Sequence, residues 1–274
     1  MALERVTLTD SSGVEVDVVD LGAAVDVIRA PDRRGDIDDI TPRLADDARA
    51  NPARNPFAGV TVGPYANRLV VDEEVVLHGG PTGWCWRRWR LVDASPTHAV
   101  FELGTARAAY ELAAGRLTIS LEATPEQDTA LSMTNHTYWN LGGAIPEHEL
   151  MVDTGERVPV DDRLVPTGPP VALDAPVTLP GEYDTCFLIR GDGLRRHARL
   201  TSPATGRTVD VWSDHPALQV YTGAWFEGVQ AIALEPQHVP NAPALPWAPS
   251  AVVAAGETYR HDLAFHITTD GGRP

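Results

Sequence analysis

Two stretches of the chain carry side chains that together could do acid–base chemistry. MTNHTYWNLGG, residues 133–143, sets His136 between short polar residues and the aromatic pair Tyr138 and Trp139. ALEPQHVPNAP, residues 233–243, sets Glu235 at the end of an apolar run (Ala231, Ile232, Ala233, Leu234) and just before a proline. A histidine that gives a proton and a carboxylate that takes one are the minimum for general acid–base catalysis. Neither stretch has helical periodicity. Aromatic faces beside hydrogen-bonding edges suit a polar, ring-shaped ligand such as a sugar. Taken singly, each residue has a plainer reading. A histidine in a Thr/Asn-rich strand is usually a structural hydrogen-bonder, and a glutamate beside a proline is usually a solvated strand end.

Their company raises the functional reading. In NPFAGVTVGPYANRLVVDEEVVLHGG, residues 55–80, Asn67 and Arg68 follow a Gly-Pro-Tyr turn. His78, Gly79 and Gly80 close an apolar strand. Arg68 offers a rigid fork of donors suited to hydroxyls or carboxylates. The glycines after His78 are expected to let backbone approach a ligand closely.

The chain resembles the aldose 1-epimerase (galactose mutarotase) family. GVTVGPYANRL, LHGG, MTNHTYWNLGG, EYDTCFLI, ALQVYTGAWF and ALEPQHVPNAP occur in the family's order. LGAAVDVIRAPDRRG and AAGETYRHDLAFHI are similar to its two ends. The resemblance implies that His136 is the general acid and Glu235 the general base. It also implies substrate-binding roles for Asn67, Arg68, His78, Asp184 and Gln219, and it implies no cofactor and no metal. Three positions depart from the family's habit. Pro64 stands where Arg is frequent, Trp139 where Phe is common, and Asn241 where Asp is common.

The elements that must position these residues read as strands. In RLTISLEATPE, Leu117, Ile119, Leu121 and Ala123 alternate with Thr118, Ser120, Glu122 and Thr124, the period of a half-buried strand. AVFEL, VTVG and LQVYTG read the same way, and only ADDARA, residues 45–50, hints at a short helix. Glycine and proline, 23 of each, favour many short strands over long helices. The expectation is an all-β fold: a large antiparallel β-sandwich, as the resemblance implies in its galactose mutarotase-like form. It forms a single domain over residues 1–274 with the site in a cleft on a concave face. VPNAPALPWAP reads as an ordered loop near the site or as a simple surface connection.

Composition narrows the partners. The net charge is −16, and all 22 basic residues are arginine. That opposes nucleic-acid binding, which needs a basic face. It also disfavours a strongly anionic substrate, with Arg87, Arg88 and Arg90 read as a solvated strand face rather than an anion pocket. No apolar stretch is long enough to span a bilayer, and MALERVTLTD lacks an apolar signal region. Two cysteines, Cys85 and Cys186, fit reduced thiols in a cytoplasmic protein. No nucleophile elbow, phosphate-binding loop, dinucleotide fingerprint or H-E-x-x-H is present. The nine histidines lack the short spacing of a zinc site.

The expected function is interconversion of the α and β anomers of a free aldohexose such as glucose or galactose by acid–base ring opening. Its small-molecule partner is a sugar, and the chain is a monomer or homodimer. The alternatives are an epimerase for a phosphorylated or sulfonated hexose, which would need an added cationic pocket, and a non-catalytic sugar-binding protein, which need not keep both His136 and Glu235. For the reaction, the reactive atoms of His136 and Glu235 are expected roughly 5–8 Å apart across one cleft, each within hydrogen-bond reach of its sugar oxygen.

Overall fold

A computed structural model describes residues 2–226 and 229–270; the side chains of residues 224–226 and 229 lie outside the description. Ala224, Trp225 and Phe226, the end of ALQVYTGAWF, are therefore not placed at side-chain level. The fold is an antiparallel β-sandwich. One layer is an eight-stranded sheet ordered Glu149–Val152, Arg195–Thr201, Arg207–Ser213, Tyr259–Thr269, Arg116–Ala123, Ala106–Ala113, His98–Leu103, Arg90–Ala94. Against it lie a six-stranded sheet, ordered Tyr138–Trp139, Val229–Gln237, Ala217–Phe226, Asp184–Leu188, Glu156–Arg157, Val171–Ala172, and a four-stranded sheet formed by residues 5–39. The short helix Asp46–Arg49 falls within the segment expected to be helical. Among the described residues no helix is long and apolar enough to cross a membrane.

Alternation builds the core. In Arg116–Ala123 every second residue is buried, and these are Leu117, Ile119, Leu121 and Ala123. They join one cluster with Val16 and Val18 of the four-stranded sheet and with Leu218, Val220, Ile232 and Leu234 of the six-stranded one. Trp139 meets Phe265 across the layers, ring centroids 4.9 Å apart. Burying an indole removes about 150–250 Å² from water, which at about 25 cal/mol per Å² stabilises by about 4–6 kcal/mol. Trp139 Nε1 has no hydrogen-bond partner among the described residues, and this offsets part of the gain.

The same alternation creates a second face on the six-stranded sheet. If Leu218, Val220, Ile232 and Leu234 point into the sandwich, then Gln219, Tyr221, Ala233 and Glu235 point away from it. Register lines them up in two rows. Asp184 pairs with Tyr221, Tyr221 with Ala233, and Ala233 with Tyr138; in the next row Cys186 pairs with Gln219 and Gln219 with Glu235. A patch of polar and aromatic side chains thus forms on the sheet face opposite the core.

Candidate active site

The patch floors a cleft of about 220 Å³. All seven residues singled out in the sequence line it: His136, Glu235, Asn67, Arg68, His78, Asp184 and Gln219. Glu235 and Gln219 come from neighbouring strands, Asp184 from the next, and His136 from the link between Thr134–Asn135 and Tyr138–Trp139. Asn67, Arg68 and His78 come from the base of the hairpin Arg68–Val71/Glu74–Leu77.

His136 Nε2 lies 3.3 Å from Glu235 Oε2, with both side chains almost wholly buried. The expected separation of 5–8 Å is therefore too long. The two groups are in direct contact rather than on opposite walls of the cleft. Their contact is poorly aligned. Glu235 Oε2 and His136 Nδ1 are buried and have no hydrogen-bond partner among the described residues, so both keep unused hydrogen-bonding capacity. Burial pushes the His136 imidazole down to about 4. Burial, and then the neighbouring Asp184 carboxylate, raise Glu235 well above the usual carboxylate range. The low-dielectric floor thus favours the uncharged form of each, a neutral imidazole and a protonated carboxyl.

His78 is also a buried, neutral imidazole, held well below its usual value by burial first and by His136 and Arg68 second. Its tautomer follows from one contact. Nδ1 accepts the backbone N–H of Asn67 at 3.0 Å, so Nε2 carries the proton and is a donor. Asn67 and His78 both have positive φ, 60° and 51°, where the hairpin base turns both residues inward. Gly79 does not serve a ligand as expected. It has φ 77°, and a Cβ there would fall 2.7 Å from the Gly63 carbonyl oxygen, so the glycine lets the His78 turn pack on the Gly63–Pro64 backbone.

A polar chain runs along the other side of the cleft. The Arg68 guanidinium donates to Asn67 Oδ1 at 3.1 Å and to Asp184 Oδ2 at 3.4 Å, and Gln219 Nε2 donates to Asp184 Oδ1 at 2.5 Å. Among the described residues Arg68 is the only arginine lining the cleft, and an acidic partner meets its charge. Arg87, Arg88 and Arg90 lie elsewhere as exposed residues, with Arg88 paired to Asp20 and Arg90 to Glu102.

Three lining aromatics complete the cleft. Phe57 stacks on His136 with centroids 6.0 Å apart and tilts against His78 at 4.6 Å. Tyr138 packs on His136 at 4.9 Å and donates its hydroxyl to the Pro56 carbonyl at 2.9 Å. Tyr221 stands next to Tyr138. Phe57 and Tyr221 were not singled out in the sequence. The cue for Tyr221 was parity, two residues from Gln219 on one strand. Trp139, by the same parity, points into the core.

The metal-ligating atoms of His78, His136 and Glu235 lie within 4.8 Å of one another, so these three residues could also hold a cation.

The sequence profile of the family described as aldose 1-epimerase matches residues 4–266. The chain belongs to the aldose 1-epimerase family. Galactose mutarotase of Mus musculus is 27% identical, covering 94% of this chain and 92% of that protein. Aldose 1-epimerase of Escherichia coli (strain K12) is also 27% identical, over 92% of each. A GalM/aldose epimerase homologue from C. elegans has the same fold, with TM-score 0.87, 22% identity and coverage of 98% of this chain and 99% of that one.

None of the three departures from the family pattern lines the aldose 1-epimerase cleft. Trp139 is in the core. Pro64 lends its carbonyl to the Ser132 N–H. Asn241 accepts the Val70 N–H through Oδ1 at 3.1 Å and gives its own N–H to the Arg68 carbonyl at 2.7 Å. The ordered loop after Glu235 thus fastens the strand that carries Arg68.

Proposed function

We propose that this chain is an aldose 1-epimerase that interconverts the α and β anomers of a free aldohexose such as glucose or galactose. The observation that carries the proposal is the buried pair of His136 and Glu235, 3.3 Å apart on the floor of a small polar cleft. Swapping anomers requires the C1–O5 bond to break and re-form. Glu235 takes the proton from the C1 hydroxyl while His136 gives one to the ring oxygen. The open-chain aldehyde turns about C1–C2, and the two residues run the steps in reverse on its other face.

This cycle needs imidazolium and carboxylate, whereas burial favours the two neutral forms. The two states contain the same number of protons. They differ by one proton moved from Glu235 to His136 across 3.3 Å, with no exchange with solvent. A C1 hydroxyl donating to Glu235 stabilises the carboxylate and tips the pair towards its working form. Each well-placed acid or base contributes about 10²–10⁴-fold.

The cleft also supports a neutral monosaccharide. Its 220 Å³ lies below the range of about 300–1,000 Å³ usual for drug-sized ligands and suits a single pyranose ring. His78 Nε2–H and the Arg68 guanidinium donate to hydroxyls, Asp184 accepts from them, and Phe57, Tyr138 and Tyr221 offer faces to the ring's C–H bonds. The test is polarimetry on freshly dissolved α-glucose and α-galactose. Enzyme-dependent acceleration of mutarotation is expected; a rate equal to the buffer-catalysed one for these and other aldoses would contradict the proposal.

A further inference from the structure

The hairpin Arg68–Val71/Glu74–Leu77 carries Arg68 at its base, and among the described residues its two strands form a sheet only with each other. At that base the Asn67 carbonyl accepts the His78 N–H at 2.9 Å. Alternation along the ladder then turns the main-chain groups of Arg68 and Val70 to the hairpin's outer side, away from Glu74–Leu77. Asn241 meets that outer edge. It gives its N–H to the Arg68 carbonyl at 2.7 Å and takes the Val70 N–H on Oδ1 at 3.1 Å. One residue thus supplies both hydrogen bonds that a third strand would supply at this point.

Asn241 is itself firmly held. It is buried and sits at φ 55° and ψ 28°, a left-handed conformation that asparagine adopts more readily than most residues. The loop around it is fastened from the other side by Tyr65. The Tyr65 hydroxyl donates to the Val239 carbonyl at 2.9 Å and accepts the Ala242 N–H at 3.0 Å. This loop begins where the strand Val229–Gln237, which bears Glu235, ends. It therefore ties the strand of the base to the turn and hairpin that carry Asn67 and Arg68. The Arg68 side chain depends on that tie. Its contact with Asp184 is long, 3.4 Å, so where its backbone is held decides where the guanidinium stands.

We propose that Asn241 is a positioning residue for the sugar: it holds the outer edge of the hairpin so that the Arg68 guanidinium meets sugar hydroxyls. The assignment rests on the reading of the cleft as an aldose site. Asn241 is not among the residues that line the cleft, so its effect is carried by Arg68. A donor that holds ground state and transition state alike acts on KM and leaves kcat in place. What the position supplies is an acceptor oxygen for the Val70 N–H, which the side chains of Asn and Asp both offer.

The test is a cycle of Asn241→Gly with Arg68→Ala. It is read by the Kd of 1,5-anhydroglucitol in calorimetric titration and by kcat and KM for mutarotation of α-glucose. That analogue is a pyranose without the anomeric hydroxyl, so it binds without turnover. Glycine keeps the left-handed backbone and the N–H but removes Oδ1. Kd and KM are expected to rise by about threefold to tenfold, the effect of one hydrogen bond, with kcat kept. In an Arg68→Ala background the same substitution should change neither, whereas a merely structural role would lower affinity equally in both backgrounds. Asn241→Asp, which restores the acceptor, should keep the native Kd. Tyr65→Phe frees the loop at its other tie, and its own cycle with Arg68→Ala decides the matter if Asn241→Gly fails to fold. An unchanged Kd in Asn241→Gly, an equal loss with and without Arg68, or a fall in kcat at constant KM would each overturn the assignment. A native chain that binds 1,5-anhydroglucitol without speeding mutarotation would contradict the acid–base reading of the cleft instead, and the Kd cycle would still decide the role of Asn241.

Discussion

Replacing Arg49 with methionine should weaken both the fold and the wall of the cleft. Arg49 is fully buried and reaches Asp26 Oδ1 through Nε at 2.9 Å and through Nη2 at 2.7 Å. Its Nη1 holds the Ala58 carbonyl at 2.7 Å, one residue from Phe57. Asn55 closes the same loop, accepting the Ala58 N–H and donating to the Arg49 carbonyl. Breaking one side of a buried ion pair costs about 3–5 kcal/mol. Asp26 keeps Arg5 at 2.6 Å, so the lower figure applies. The orphaned Ala58 carbonyl adds about 1 kcal/mol, for a total of about 4 kcal/mol. Urea unfolding at constant m measures it. A cycle with Asp26→Leu tests the cause, because removing both charges should restore at least half the loss through a coupling of about 2 kcal/mol. Strictly additive losses, or a single-variant loss below about 1 kcal/mol, would refute the reasoning.

Three further outcomes follow from the cleft. The acid limb of kcat/KM should fall near pH 4 rather than 6.5. Below that point His136, pushed down to about 4, takes a second proton and the pair has no base, while loss of the Glu235 proton, held on by its raised value, sets the alkaline limb; an acid limb centred on 6.5 would contradict it. Glucose should be turned over with higher kcat/KM than glucose 6-phosphate at fixed ionic strength, because Asp184 already engages the one guanidinium that lines the cleft among the described residues, and a phosphate preference of about tenfold or more, some 1.4 kcal/mol, would refute this. Extensive chelation should leave kcat unchanged, because each step is a proton transfer between His136, Glu235 and sugar oxygens; a loss that Zn²⁺ restores would contradict this.

What the sequence disclosed depended on range. The strand Arg116–Ala123 was legible because alternation is local, and so was the clustering of polar and aromatic residues around His136 and Glu235. Distance was not legible. Gln219 and Glu235 are cross-strand neighbours only through a register that no local pattern encodes. The same holds for the direct approach of His136 to Glu235, which reduced an expected 5–8 Å to 3.3 Å. Phe57 escaped notice because it sits in a loop at φ 65° with no periodic neighbours. Trp139 and Gly79 stood beside site residues in the chain, but parity turned one into the core and backbone packing claimed the other.

The most direct test of the account is the mutarotation rate of Glu235→Gln on fresh α-glucose, measured by polarimetry beside the native chain. The substitution keeps the shape of the side chain and removes the base, so kcat should fall by about 10²-fold or more. A Glu235→Gln variant as fast as the native chain would contradict the account and move the base to another residue.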